Sequence, residues 1–242
     1  MNLTDRVAIV TGASGGLGKS ICRTFTERGA RVVPVDVTGD DVFIADVGSD
    51  GGNRAMIDHA LELHGRLDAL VLNAGVQHVS PLESFPEDQW DRLMNVMVKG
   101  PFLAMRTAWP HLTARPGGRI VVTASGSSYI GEANKAAYVA AKHAVLGLVK
   151  VAAIEGGPAG LTANAVAPGW MRTPMVENQV EEQMRLRGLD RQGVLDLMLE
   201  RSPVKRFVET DEAANLIAFL AGPESSGLNG TCTPVDLGLL SN

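Results

Sequence analysis

Three residues in the middle of the chain have the types and spacing needed to move a proton. Tyr138 and Lys142 are four residues apart in a helical pattern, so both side chains face the same side. Ser125 lies thirteen residues before Tyr138, just after an apolar run that predicts a strand. A free tyrosine has a pKa of about 10, and a neighbouring ammonium group favours the phenolate. We therefore expect Lys142 to lower the pKa of Tyr138, which takes a proton from an alcohol while Ser125 binds the same oxygen.

A glycine-rich turn near the start of the chain predicts a dinucleotide site. The turn, Thr11–Gly18, follows the first apolar run and opens a helix, so backbone N–H groups can approach a pyrophosphate. Asp36 ends the second predicted strand, where its carboxylate can bind the adenosine ribose hydroxyls and would repel a 2′-phosphate. Because Val37 follows and no basic residue is near, the sequence predicts NAD rather than NADP.

Apolar strands and helical patterns alternate along the whole chain and must position these residues. The predicted strands are Val7–Thr11, Arg31–Val37, Val42–Ala45, Ala69–Asn73, Arg119–Thr123, Thr162–Val166 and Thr231–Val235. The predicted helices are Gly15–Arg28, Ser49–His64, Glu87–Thr113, Ala136–Glu155 and Thr210–Leu220. This alternation predicts a doubly wound, Rossmann-type α/β fold, with about seven parallel strands in a single domain spanning residues 1–242.

Two places depart from the alternation. Only Thr38–Asp41 separates the second strand from the third, which is too short for a crossover helix. The segment Met175–Ser202 has the spacing of two amphipathic helices and is inserted before the last helix. Because long insertions in compact domains are often functional, we predict that this segment is a lid over the site, although a surface helical hairpin is the alternative.

Composition excludes several classes of protein. The chain has 242 residues and a formal charge of −5, without a Lys/Arg cluster, which argues against a nucleic-acid partner. The two cysteines, Cys22 and Cys232, are far apart, which favours a reducing, cytoplasmic location. The most apolar window, 136–154, contains three basic residues and predicts a buried helix rather than a membrane span. The start has no signal-peptide pattern, and the histidines have no metal-ligand spacing.

The order of these motifs resembles the short-chain dehydrogenase/reductase family over nearly the whole chain. Asn95, Ser125, Tyr138 and Lys142 match the catalytic tetrad of that family. The resemblance implies that Asn95 holds a water that connects Lys142 to solvent, and that Lys142 also reaches the nicotinamide ribose. It further implies that a nicotinamide cofactor, NAD here, contacts Gly12, Ser14, Gly16, Leu17, Gly18, Asp36, Asp46, Val47, Asn73, Tyr138, Lys142, Pro168 and Thr173.

The resemblance also implies a homotetramer. The helices Glu87–Thr113 and Ala136–Glu155 are expected at an interface. Small residues on the second helix allow close helix approach, namely Ala137, Ala141, Ala144 and Gly147.

Within this family, several stretches resemble bacterial D-3-hydroxybutyrate dehydrogenases. The stretches are 73–78, 133–143 and 162–179. The resemblance implies that Gln77, Lys135 and Gln179 hold the carboxylate of a hydroxy acid, and that Trp170 packs on its apolar end beside Ser125 and Tyr138. A lysine at the helix entrance can pair with a carboxylate, so the chemistry agrees with a 3-hydroxy acid substrate.

Three positions depart from that group. Its histidine after the catalytic serine is Ser127, its C-terminal tryptophan is Leu239, and its Asp-Gly-Gly contains Leu237 in place of the first glycine. A longer hydroxy acid or another β-oxygenated metabolite therefore also fits. In its short link between strands two and three, the chain resembles dihydrodiol dehydrogenases. A dihydrodiol is therefore an alternative substrate. A protein that only senses NAD is a third possibility, but it predicts loss of the tyrosine or lysine.

Overall fold

The computed structural model describes residues 2–241, which form one seven-stranded parallel sheet. The strands are β1 (Val7–Thr11), β2 (Arg31–Asp36), β3 (Phe43–Ile44), β4 (Ala69–Leu72), β5 (Arg119–Thr123), β6 (Thr162–Pro168) and β7 (Cys232–Val235). Their order across the sheet is β3-β2-β1-β4-β5-β6-β7, and every pair is parallel. The predicted doubly wound α/β fold is confirmed.

Helices cover both faces of the sheet. They are α1 (Gly16–Glu27), α2 (Asp50–His64), α3 (Glu87–Met94), α4 (Gly100–Leu112), α5 (Ala136–Gly156), α6 (Pro174–Arg187), α7 (Arg191–Leu199) and α8 (Thr210–Ala221). Alternate residues of β1 serve the two faces: Ile9 packs with the α2, α4 and α5 cluster, while Ala8 and Val10 pack with α1 and α8. Strands buried on both sides explain the continuously apolar runs in the sequence.

The two edges of the sheet are short. β3 has only two residues, and the chain between β2 and β3 forms no helix, as its length predicted. β7 contains Pro234, which pairs with Ala167 of β6.

The predicted helix Glu87–Thr113 is helical but not uniform. A π-helical turn, Asn95–Lys99, lies between α3 and α4. Close packing accompanies the irregularity, because a Cβ on Gly100 would lie 2.9 Å from the carbonyl oxygen of Val47. The spacing of apolar residues in the sequence does not reveal this wider turn. The turn begins at Asn95, which lines the main cavity.

The insertion before α8 forms the two helices expected from its spacing. Thr173 and Asp190 cap the N-termini of α6 and α7, since their side chains accept hydrogen bonds from backbone N–H groups. Val180, Val194 and Met198 are the buried hydrophobic residues of this unit, which packs against Trp170. Its role as a lid stays a prediction.

One helical stretch of the described residues, Ala136–Ala159, is long and apolar enough to satisfy a length and hydropathy test for a membrane span. It contains α5, whose residues Val145, Val149 and Ala152 pack on the sheet. A core helix passes the same test, so the stretch is weak evidence for a membrane.

Candidate active site

A cavity of about 830 Å³ lies at the carboxyl ends of the central strands. The strand order reverses between β1 and β4, which is where ligands bind in doubly wound sheets. Every residue predicted for the site lines this cavity. They are Gly12, Ser14, Gly16, Leu17, Gly18, Asp36, Asp46, Val47, Asn73, Gln77, Asn95, Ser125, Lys135, Tyr138, Lys142, Pro168, Trp170, Thr173 and Gln179.

The glycine turn has the shape that a dinucleotide requires. Gly12 has a φ of +67°, and a Cβ there would lie 2.8 Å from the Cα of Ala74. A Cβ on Gly18 would overlap the carbonyl oxygen of Gly12, so the turn can close on α1 only with glycine at this position. Within residues 2–241, no side chain caps α1 at Gly15. Its first N–H groups therefore remain available to a pyrophosphate, and the turn fits a dinucleotide.

Asp36 and Asn73 hold the strand ends around this turn. The Asp36 carboxylate accepts hydrogen bonds from the backbone N–H of Ser14 at 2.9 Å and of Val37 at 2.7 Å. The Asn73 amide donates to the carbonyl of Thr11 at 3.0 Å and accepts from the Thr123 hydroxyl at 3.1 Å. Asn73 thus connects β1, β4 and β5 at the edge of the cavity.

Tyr138, Lys142 and Ser125 meet on the other side of the cavity. Lys142 is buried, and its Nζ donates to the carbonyl of Thr123 at 2.7 Å, which holds the ammonium 5.5 Å from the centre of the Tyr138 ring. Ser125 follows β5 and its hydroxyl hydrogen-bonds Tyr138. A base, a neighbouring cation and a hydroxyl therefore face one volume, the arrangement that proton transfer with an alcohol needs.

The pKa of Tyr138 differs from our expectation. Although its ring keeps partial exposure to the cavity, burial raises the pKa of Tyr138 to about 12, the hydrogen bond from Ser125 lowers it, and Glu132 raises it further. Burial also lowers the pKa of Lys142 to about 8. The expected lowering by Lys142 is absent in the protein without a cofactor, where desolvation of the phenolate has the largest effect on the pKa of Tyr138 and Lys142 is not among the groups that shift it.

Lys135 and Trp170 form the far end of the cavity. The Lys135 ammonium lies 4.2 Å from the centre of the Trp170 ring and donates to Glu132 at 2.7 Å. Burial lowers the pKa of Lys135, and the Glu132 carboxylate opposes this shift. The predicted carboxylate-binding lysine is thus in the cavity, but it already has an anionic partner.

The two predicted glutamines also line the cavity, with different partners. The Gln77 oxygen accepts from the backbone N–H of His78 at 3.0 Å, which leaves its NH₂ toward the cavity as a potential donor. The Gln179 NH₂ donates to the carbonyl of Met175 at 3.4 Å, and its buried oxygen has no hydrogen-bond partner within residues 2–241. The amide group left without a partner is therefore a hydrogen-bond donor in Gln77 and a hydrogen-bond acceptor in Gln179.

Several cavity residues were not predicted. Those with a charged or amide side chain are Glu132, Arg92, Gln183, Arg187 and Arg201. Glu132 had a usable signal, because the segment between Ser125 and Tyr138 must pass the reacting atoms and Glu132 is its only acidic residue. The three arginines are exposed, Arg92 and Arg187 on helices and Arg201 in a turn, where sequence does not distinguish a cavity rim from solvent.

Together the glycine turn and the Ser125–Tyr138–Lys142 group define a dinucleotide-dependent oxidoreductase. A family model described as Enoyl-(Acyl carrier protein) reductase matches residues 12–240. The chain belongs to the short-chain dehydrogenase/reductase family, acts as an oxidoreductase on CH–OH groups of small molecules, and has a fold that implies a nicotinamide cofactor.

Curated relatives match over almost the full length. The chain is 36% identical to the uncharacterized oxidoreductase YxjF of Bacillus subtilis (strain 168), with 98% of each chain covered. It is 34% identical to the D-beta-hydroxybutyrate dehydrogenase of Rhizobium meliloti (strain 1021), with 96% of this chain and 98% of the relative covered.

Solved structures share the same fold. The crystal structure of levodione reductase has a TM-score of 0.93 and 31% identity, with 99% of both chains covered. NAD⁺-bound xylitol dehydrogenase has a TM-score of 0.92 and 27% identity, covering 97% of this chain and 99% of that one.

Proposed function

We propose that the protein is an NAD-dependent dehydrogenase that interconverts a β-oxygenated secondary alcohol and its ketone. The observation that carries this proposal is the convergence of Ser125, Tyr138 and Lys142 on one cavity with the glycine turn. The first substrate to test is a 3-hydroxy acid such as D-3-hydroxybutyrate, the substrate class named for one relative.

The proposed roles follow from the contacts. A bound nicotinamide supplies the hydride acceptor for the alcohol carbon. Tyr138 accepts the hydroxyl proton, Ser125 hydrogen-bonds the substrate oxygen, and Lys142 stabilises the phenolate that forms. Asn95, at the π-helical turn, is proposed to hold the water that returns the proton to solvent.

NAD is the proposed cofactor because Asp36 lies beside the glycine turn. Its carboxylate would face the 2′ position of the adenosine ribose, and a 2′-phosphate would be repelled. The glycine turn and Val37 provide no cation to offset that repulsion. An NAD⁺-bound structural relative supports the same choice.

An uncharged alcohol, such as a dihydrodiol or a polyol, is the second candidate substrate. The specific observation in its favour is the ion pair between Lys135 and Glu132, which occupies the group expected to bind a carboxylate. Levodione and xylitol, named for two structural relatives, are uncharged compounds.

The deciding experiment is a substrate panel with purified protein. Hydroxy acids, diols and dihydrodiols are each mixed with NAD or NADP, and the reduced cofactor is followed by its absorbance. We expect NAD-dependent oxidation of at least one β-oxygenated secondary alcohol, and Tyr138→Phe must abolish it. If no secondary alcohol on the panel is oxidised, or the variant remains active, the proposed function is wrong.

We also propose a cytoplasmic homotetramer. Cys22 and Cys232 are unpaired, as in a reducing compartment. Phe102 of α4 and Val151 and Ile154 of α5 are exposed apolar residues, Ile154 at 77%, that a neighbouring subunit could cover. Light scattering at micromolar concentration measures the oligomeric state, and a monomer would contradict the proposed tetramer.

The helix contacts change one part of that expectation. Ala137 and Ala141 are fully buried inside the chain against Leu93 and Met97, so they cannot contact a partner. Ala144 and Gly147 remain exposed on α5.

A further inference from the structure

Glu132 and Lys135 form an ion pair at the far end of the cavity. One oxygen of its carboxylate accepts from the Lys135 ammonium at 2.7 Å, and the other accepts from the Ser127 hydroxyl. The Lys135 side chain is only 4% exposed, and the Glu132 side chain is 24% exposed. The buried ammonium therefore has its counter-ion within the protein, and the pair as a whole is neutral.

A substrate carboxylate would fit this end poorly. It would share one ammonium with Glu132, and two carboxylates in a site partly withdrawn from water repel each other. A hydroxyl group carries no such penalty, because it can donate to Glu132 and accept from Lys135. Of the other cations of the cavity wall, Lys142 is held by the Thr123 carbonyl beside Tyr138. Arg92, Arg187 and Arg201 are exposed residues whose charges solvent screens.

Gln179 favours the same ligand chemistry through a separate contact. Its NH₂ donates to the Met175 carbonyl. A flipped amide would bring the Gln179 oxygen against the Met175 oxygen, so the observed orientation is preferred. This leaves a buried oxygen that accepts no hydrogen bond within residues 2–241. A buried acceptor is satisfied by a ligand with a donor, and an ionised carboxylate has none.

We propose that Glu132 is a specificity-determining residue that selects an uncharged hydroxyl group over a carboxylate at the far end of the cavity. This inference rests on the proposed function and names its substrate class. The substrate is then a secondary alcohol with a second, uncharged hydroxyl group.

Two compounds with the same four-carbon skeleton test the proposal. (R)-1,3-Butanediol and D-3-hydroxybutyrate differ only in a CH₂OH group against a carboxylate. The wild type should have a kcat/KM for the diol at least about tenfold higher. Glu132→Gln should move the ratio toward the acid by at least about tenfold, because Lys135 is then released for the carboxylate.

Two control variants identify the cause. Glu132→Gln/Lys135→Gln should lose the gain for the acid, since the gain requires the ammonium. Glu62→Gln, at an exposed position of α2, also removes one negative charge and should leave the ratio unchanged. If Glu132→Gln does not fold, Glu132→Ala makes the same test.

Equilibrium binding separates this inference from the proposed function. Calorimetric titration with acetoacetate and with 4-hydroxy-2-butanone needs no turnover. Glu132→Gln should tighten acetoacetate by about tenfold relative to the uncharged ketone. A wild type that prefers the acid, or a change of less than about twofold in both ratios, overturns the inference. A binding shift without oxidation of any alcohol would instead support it and contradict the dehydrogenase proposal.

Discussion

The two ends of the cavity are constructed in different ways. The end beside β1 is formed by backbone, where Gly12 and Gly18 allow two backbone segments to approach each other closely. The end beside Trp170 is formed by side chains from separate segments, among them Glu132, Lys135 and Gln179. Backbone can bind a ligand common to a whole family, whereas side chains can be exchanged singly. This difference favours the proposal that the cofactor binds at the first end and that the second end selects the substrate.

Loss of the Tyr138 hydroxyl should have the largest effect. Tyr138→Phe removes the proposed proton acceptor but nothing near the glycine turn, so kcat should fall by about 10²–10⁴-fold while cofactor binding is retained. Stopped assays and fluorescence titration with NADH measure the two quantities. Lys142→Ala is the matched comparison, and it should weaken both. A Tyr138→Phe enzyme that keeps most of its activity would contradict the assigned base.

Cofactor preference tests the backbone end. The wild type should prefer NAD over NADP by at least about tenfold, or about 1.4 kcal/mol, because of Asp36. Asp36→Ala with Val37→Arg should move the preference toward NADP, since the repelling carboxylate is replaced by a cation. Titration with both reduced cofactors gives the dissociation constants, and Val37→Arg alone is the control. Equal affinity of the wild type for both cofactors would refute this role of Asp36.

The pH dependence of the reaction should follow Tyr138. With its pKa raised to about 12, the group is protonated near neutrality, and below the pKa its phenolate fraction grows with pH. Alcohol oxidation uses the phenolate, so its kcat/KM should rise by up to about tenfold per pH unit. The rise should flatten above about 8, where Lys142 loses its proton. Ketone reduction uses the protonated phenol and should show no rise; an oxidation rate independent of pH would contradict the assignment.

The smallest expected effect is at Leu237, two residues before Leu239, which lines the cavity. Leu237 has a φ of +57°, a left-handed conformation that costs a non-glycine residue about 1–2 kcal/mol. Leu237→Gly should therefore be more stable than Leu237→Ala by about 1 kcal/mol in its free energy of unfolding, measured in urea. Both variants remove the leucine side chain beyond Cβ, but only glycine relieves the strain of the left-handed backbone. Equal stabilities would exclude strain at this position.

The parts of the molecule that sequence could predict are those set by local pattern. Strand and helix order, the glycine turn and the cavity position of Tyr138 and Lys142 follow from apolar period and residue spacing. The ion pair of Glu132 with Lys135 did not, because a loop carries no period from which the direction of a side chain can be read. The raised pKa of Tyr138 in the protein without a cofactor was not foreseen either, since it depends on burial by several elements and on contacts with Ser125 and Glu132.

The edges of the sheet have a consequence for aggregation. An open sheet normally exposes unpaired N–H and C=O groups that can recruit another strand. Here one edge, β3, is only two residues long, and the other, β7, contains Pro234, which has no N–H to donate. Neither edge offers a long template for strand addition. Concentrated solutions of the protein should therefore resist β-type fibre formation.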